Sequence, residues 1–185
     1  MSPPQIRPAQ QRMRPAAFFD RDGVLNVDRG YTYRLDQFEW LSDAPLAVRT
    51  LNDAGYYVFV VTNQSGVARG LYTQADVEGF HAYMQERLMA EGAHIDAFYY
   101  CPHHPEGKVN GLAIRCRCRK PEPGLLEQAA SEWSFDREGS FLIGDQDHDL
   151  AAAAAFNIRG VRFDPGASSL AALVQRELRS KSHIG

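Results

Sequence analysis

The chain predicts an α/β protein built on a doubly wound parallel sheet, and three observations carry that expectation. Short apolar segments alternate with helix-forming ones, the pattern of a parallel sheet covered on both faces. The run Tyr56–Thr62 is almost wholly apolar with β-branched residues, as expected of a strand buried on both sides. Residues with chemical potential fall just after the strands, where ligands of such sheets bind.

Taken in order, Met1–Pro15 is rich in Pro, Gln and Arg and lacks the apolar stretch of a secretory signal. Residues 1–15 are expected to be a disordered lead-in, followed by one domain over 16–180. Ala16–Phe19 is the first strand and ends in Asp20. Ala44–Ala54 is a helix stopped by Gly55. After the second strand, Thr73 with Asp76 resembles a capping box that opens a helix to about Glu91. Ile95–Tyr100 and Ser140–Ile143 are further strands, separated by a helix over Pro123–Trp133. Asp147–Asn157 contains the alanine run Ala151–Ala155, which has high helix propensity. Ile158–Phe163 is a weaker strand candidate, and Ser168–Leu178 closes the domain as a helix.

The 185 residues are 44% apolar and 23% charged, enough to bury a core without disulfides. No apolar run approaches the roughly 20 residues that cross a bilayer, so no membrane partner is expected. The net charge is −3, and three arginines in the lead-in leave −6 on the rest. An acidic body argues against a nucleic-acid surface. It leaves a phosphorylated small molecule open, because a metal ion and a few basic groups reverse the sign inside a cleft. Without an export signal the cytoplasm is the expected compartment, and a monomer the expected state.

Asp20 and Asp22 stand one residue apart at a strand end, where extended backbone points both side chains the same way. Two converging carboxylates repel unless a cation sits between them or one is protonated. Asp145, at another strand end, completes an oxygen site suited to Mg²⁺. One carboxylate can then attack phosphorus while the other moves protons. Taken alone, Asp20-Arg21-Asp22-Gly23 reads equally as an ordinary turn. Thr62 ends its strand with a hydroxyl that suits a phosphate oxygen, and Lys120 offers a point charge for a phosphoryl group. Asp149 is either a helix-dipole residue or a support for the metal site. Asp147 is expected to be a cap, and His148 an exposed surface histidine.

Together these residues resemble the four motifs of the haloacid dehalogenase superfamily of phosphotransferases. The resemblance implies Asp20 as nucleophile and Asp22 as general acid/base. It implies Mg²⁺ on Asp20, Asp145 and the main-chain carbonyl of Asp22, with Thr62 and Lys120 stabilising the phosphoryl group.

All three cysteines lie between residues 101 and 118. Cys101, His103, Cys116 and Cys118 make a set suited to a closed, structural Zn²⁺ site, with His104 as the alternative fourth ligand. The loop has little apolar material between His103 and Cys116, so metal is expected to supply its order. It leads directly into Arg119 and Lys120.

Cys-Pro-His-His-Pro, Cys-Arg-Cys-Arg-Lys-Pro, Asp-Arg-Asp-Gly-Val and Thr-Asn-Gln-Ser-Gly resemble the D-glycero-D-manno-heptose 1,7-bisphosphate phosphatases. The related histidinol-phosphate phosphatases share most of these motifs but typically have a shorter zinc loop. The resemblance implies substrate contacts from Asp28, Arg29, Gly30 and Tyr31, from Asn63, Gln64 and Ser65, and from Arg119. Gln146 departs from the pattern: it stands where the heptose group usually has Lys, beside the substrate phosphate. Neither usual insertion point has room for a cap domain, so loops near residues 28–33 and 102–115 are expected to set specificity. The competing reading outside enzymes is a non-catalytic phosphate-binding module.

Overall fold

A computed structural model describes residues 13–41 and 43–182. The expected disordered lead-in falls mostly on residues 1–12, outside the described residues. Its end does not match: the first strand begins at Pro15, and Arg14 donates to the carbonyls of Gly55 (2.9 Å) and Tyr56 (3.0 Å).

Five strands form one parallel sheet: β1 (Pro15–Phe19), β2 (Tyr57–Asn63), β3 (Ala97–Cys101), β4 (Asp136–Gly144) and β5 (Arg159–Arg162), in the order β3-β2-β1-β4-β5. The helices are α1 (Ala44–Asp53), α2 (Gly66–Arg69), α3 (Gln74–Ala90), α4 (Gly124–Glu132), α5 (Asp147–Ala155) and α6 (Leu170–Ser182). A 3-10 turn covers Leu35–Gln37. Among the described residues no helix is long and apolar enough to cross a membrane.

The alternation of side chains along each strand divides the core in two. Ala17, Phe19, Val58, Val60 and Phe141 face one side and pack with residues of α1, α3 and α6. Ala16, Phe18, Phe59, Val61 and Leu142 face the other and pack with Leu125, Leu126 and Ala129 of α4 and Ala152 and Ala153 of α5. This is the doubly wound arrangement expected, and among the described residues no separate cap domain interrupts it. Each fully buried Phe contributes roughly 2–3 kcal/mol by leaving water.

The capping box predicted for α3 is present: Thr73 Oγ1 accepts from Asp76 N (3.2 Å) and Thr73 N donates to Asp76 Oδ2 (2.7 Å). Besides α6, which starts at Leu170 and runs four residues past the expected Leu178 to Ser182, two elements differ most from expectation. β4 begins at Asp136, four residues early, and its first four residues lack the continuous burial of Ser140–Gly144. Ser140 Oγ donates to the Asp136 carbonyl and accepts from Ala16 N, where the β1–β4 register shifts. The one-turn helix α2 is the other. It is too short to show a helical period, and it docks on the cysteine loop through Ala68 O, which accepts from Lys108 N (2.7 Å) and Val109 N (2.9 Å).

Candidate active site

The switch in strand order puts β1 between β2 and β4, so the residues leaving these three strands share one crevice at their carboxyl ends. Asp20 extends β1, its N–H bonding to Ile143 O (3.0 Å). Thr62 is the penultimate residue of β2, and Asp145 follows β4 directly.

Asp20 is buried, as are its partners Lys120 and Asp149. Lys120 Nζ lies 3.0 Å from Asp20 Oδ1 and 2.6 Å from Asp149 Oδ1, and donates to Val61 O (2.8 Å). These three acceptors take up its three donors. Burial pushes the Asp20 carboxyl up to about 6, with the Lys120 ammonium opposing and Asp149 and Asp22 reinforcing the rise. Burial alone would lower the Lys120 pKa, but the charges of Asp20 and Asp149 outweigh it and hold it above its ordinary value. Asp149 therefore supports the catalytic pair through the lysine. It also accepts from Gln146 N (3.0 Å) at the start of α5, where an acidic residue suits the helix dipole.

Asp22 is fixed by donors on every side. Arg21, wholly buried, reaches both its oxygens from Nη2 (3.0 and 2.8 Å), Asn26 Nδ2 donates to Oδ1 (2.9 Å) and Gln64 Nε2 to Oδ2 (3.0 Å). Gln64 Nε2 also donates to Thr62 Oγ1 (2.9 Å), and its Oε1 accepts from Tyr72 (2.7 Å). Arg21 is completed by Thr32 O (2.6 Å), the Phe80 ring face and the buried His81. Gln64 thus braces Asp22 and Thr62 from the cleft wall. Asn63 likewise braces: it donates to Lys120 O (3.1 Å) and accepts from Lys120 N (3.0 Å).

A cleft of about 340 Å³ opens over these groups, lined by Asp20, Asp22, Asp28, Gly30, Tyr31, Thr62, Asn63, Gln64, Ser65, Tyr72, Arg119, Asp145, Gln146 and His148. Arg29 is not brought to it. Its guanidinium turns away to pair with Glu39, which corrects the expectation for that residue. His148 corrects another: it lines the cleft, with Nε2 3.5 Å from Asp149 Oδ1. Asp147 is not the cap either; Gln146 occupies that position and Asp147 pairs with Arg162. Arg21, Tyr72 and His148 are functional positions that sequence reasoning missed.

The oxygen donors suit a hard divalent cation. Asp145 Oδ1 is buried with no hydrogen-bond partner, a costly arrangement unless a cation takes it. A separate grouping, Asp20 with His148 and Asp149, brings one ligand atom from each within 4.8 Å of the others. Its cation is already in place as the Lys120 ammonium.

The cysteine loop brings Cys101, His103, Cys116 and Cys118 together with one ligand atom each within 4.8 Å of the rest. The Cys101 and Cys118 sulfurs lie 3.1 Å apart, and His103 Nδ1 is 3.2 Å from Cys118. Hydrogen bonding from Cys101 brings the Cys118 thiol down to about 5, while Cys101 is pushed up by the same contact and by burial. Three thiols so close cannot all ionise without a cation among them. His104 lies outside the cluster; its Nδ1 accepts from Glu106 N (3.1 Å) and its Nε2 contacts Arg69 (3.3 Å).

Comparison with known proteins agrees with this site. Residues 117–183 match the HAD-hydrolase-like family model. The chain is 46% identical over 151 residues to the D-glycero-beta-D-manno-heptose-1,7-bisphosphate 7-phosphatase of Rhodopseudomonas palustris, covering 82% of this chain and 84% of that one. It is 43% identical over 144 residues to the enzyme of the same name from Escherichia coli K12, covering 78% and 75%. The crystal structure of D,D-heptose 1,7-bisphosphate phosphatase from B. bronchiseptica, complexed with magnesium and phosphate, superposes with a TM-score of 0.73 at 29% identity, over 90% of this chain and 99% of that one.

Proposed function

Because the chain belongs to the D-glycero-beta-D-manno-heptose-1,7-bisphosphate 7-phosphatase family of HAD phosphatases, we propose that it removes the C7 phosphate of a heptose 1,7-bisphosphate through an aspartyl-phosphate on Asp20. The observation that carries the assignment is the buried Asp20–Lys120–Asp149 set beside the unpartnered Asp145 Oδ1.

Asp20 Oδ1 is held by Lys120 and by Arg21 N (2.8 Å), which fixes the carboxylate and leaves Oδ2 for phosphorus. Asp22 passes a proton to the leaving alkoxide and later takes one from the attacking water. Its bracing by Arg21, Asn26 and Gln64 keeps it within reach of both tasks. Asp20, Asp145 and the Asp22 carbonyl are the residues that fit Mg²⁺, which would offset phosphoryl charge. Since all three Lys120 donors are held by protein, Thr62 and Arg119 complete the cradle for the phosphoryl oxygens; Arg119 Nη1 is buried without a partner. Asp28, Gly30, Tyr31 and Ser65 face the sugar. Cys101, His103, Cys116 and Cys118 are the residues that would hold Zn²⁺, which would anchor the approach to Arg119 and Lys120. We read the working state as a cytoplasmic monomer, the cleft being assembled from a single chain.

The test is phosphate release with Mg²⁺ from the heptose bisphosphate and from histidinol phosphate. The proposal expects kcat/KM to favour the heptose by about a hundredfold, because cleft groups built to bond sugar hydroxyls are left unpaired by the other substrate. A preference for histidinol phosphate would overturn the substrate assignment.

A further inference from the structure

The loop after β4 contains a contact that the chemistry above does not use. Asp145 presents three oxygens. Its main-chain oxygen accepts from Arg162 on β5. Its Oδ2 accepts from Gln146 Nε2 at 2.8 Å. Its Oδ1 is buried and accepts from nothing. The carboxylate also lies hard against the turn after β1: a Cβ on Gly23 would stand 2.6 Å from Oδ2. Two of the three oxygens are thus tied down by the protein, and the carboxylate packs close against the turn after β1.

We propose that Gln146 is a positioning residue for the metal-binding carboxylate: its amide pins Asp145 Oδ2 so that Oδ1 alone is presented to the cation. The inference rests on the reading of Asp145 as a Mg²⁺ ligand. An unpinned carboxylate rocks about its last torsion, which is broad rather than held in one staggered well. Mg²⁺ demands near-octahedral geometry and tolerates a wandering ligand poorly. Groups that orient a ligand from behind typically contribute about 10–100-fold in metal affinity. Arg162 holds the same residue through its backbone and is itself anchored on Asp147. The Gln146 side chain is otherwise exposed, so replacing it leaves the core intact. This role differs from substrate contact, since the donor is turned onto Asp145 rather than into the cleft.

The experiment uses the full zinc-loaded chain and its Gln146→Met variant, which keeps the length and removes the donor. Mn²⁺ is titrated into each and the free ion is read by EPR; the Mg²⁺ dependence of phosphate release and the substrate KM at saturating Mg²⁺ are measured alongside. The expected result is a Mn²⁺ Kd raised about tenfold, in line with loss of a group orienting a ligand. The half-saturating Mg²⁺ should rise equally, with substrate KM unchanged. An unchanged Mn²⁺ Kd overturns the proposal, and a raised KM with that Kd unchanged makes Gln146 a substrate contact instead. If wild type itself binds no Mn²⁺, the metal reading of Asp145 fails and the proposal goes with it.

Discussion

The molecule gathers ionisable groups in two places, and it builds them in opposite ways. The oxygen site grows from the ends of β1, β2 and β4, strands buried on both faces, so its carboxylates stand on backbone held by the core. The sulfur site sits in a long loop with little apolar material of its own, tied to the sheet at Cys101. In the first, packing supplies order and charge supplies chemistry. In the second, the ligand cluster must supply the order. Lys120 joins the two: it follows the last cysteine by two residues and reaches the centre of the oxygen site.

The largest effect expected from breaking the comparison is at that joint. Lys120→Met leaves Asp20 and Asp149 facing each other without their shared cation. The expected loss in kcat is about 10³-fold, because the nucleophile loses the preorganised cation that fixes and charges it. Thermal unfolding should shift down as well, because two buried carboxylates lose their partner. Cys118→Ser tests the other side. Metal analysis should show zinc lost, with a lowered thermal midpoint. Because Arg119 and Lys120 lose their anchor, kcat should fall by about tenfold, consistent with small misplacements of positioned groups. Full kcat in a zinc-free variant would show that the loop does not position the site.

A smaller effect sharpens the picture of the oxygen site's support. Burial, with the Arg21 charge behind it, holds the His81 pKa well below its ordinary value of 6.5. The folded state therefore favours neutral His81. Its contribution is fully present above pH 6.5 and is lost as pH falls toward the folded value, where the unfolded chain binds the extra proton. Relative to His81→Gln, wild type should lose about 1.4 kcal/mol of stability per pH unit over that window. Parallel pH profiles of the two chains in denaturant melts would contradict this.

Much of the site was legible in the sequence because its chemistry sits at predictable places. Asp20, Thr62 and Asp145 each follow an apolar strand, and the cysteine spacing named its own cluster. What stayed hidden was direction. Nothing in Asp-Arg-Asp-Gly says that Arg21 turns wholly inward under Asp22, while Arg29 turns out to Glu39. Gln64 and Asn63 line the cleft as expected, but nothing in the sequence says that they also brace Asp22 and Lys120. His148 shares a helical turn with Asp149 and is carried into the cleft by a helix start one residue earlier than Asp147 suggested. The early residues of β4 lack a continuous apolar pattern and were invisible for that reason.

The central claim is that Asp20 takes the C7 phosphoryl group. The most direct test follows the heptose 1,7-bisphosphate by ³¹P NMR with Mg²⁺, using wild type and Asp20→Asn. The C7 signal should convert to inorganic phosphate while the C1 signal stays, and Asp20→Asn should be inert with its fold unchanged. Loss of the C1 signal first, or undiminished turnover by Asp20→Asn, would contradict the account.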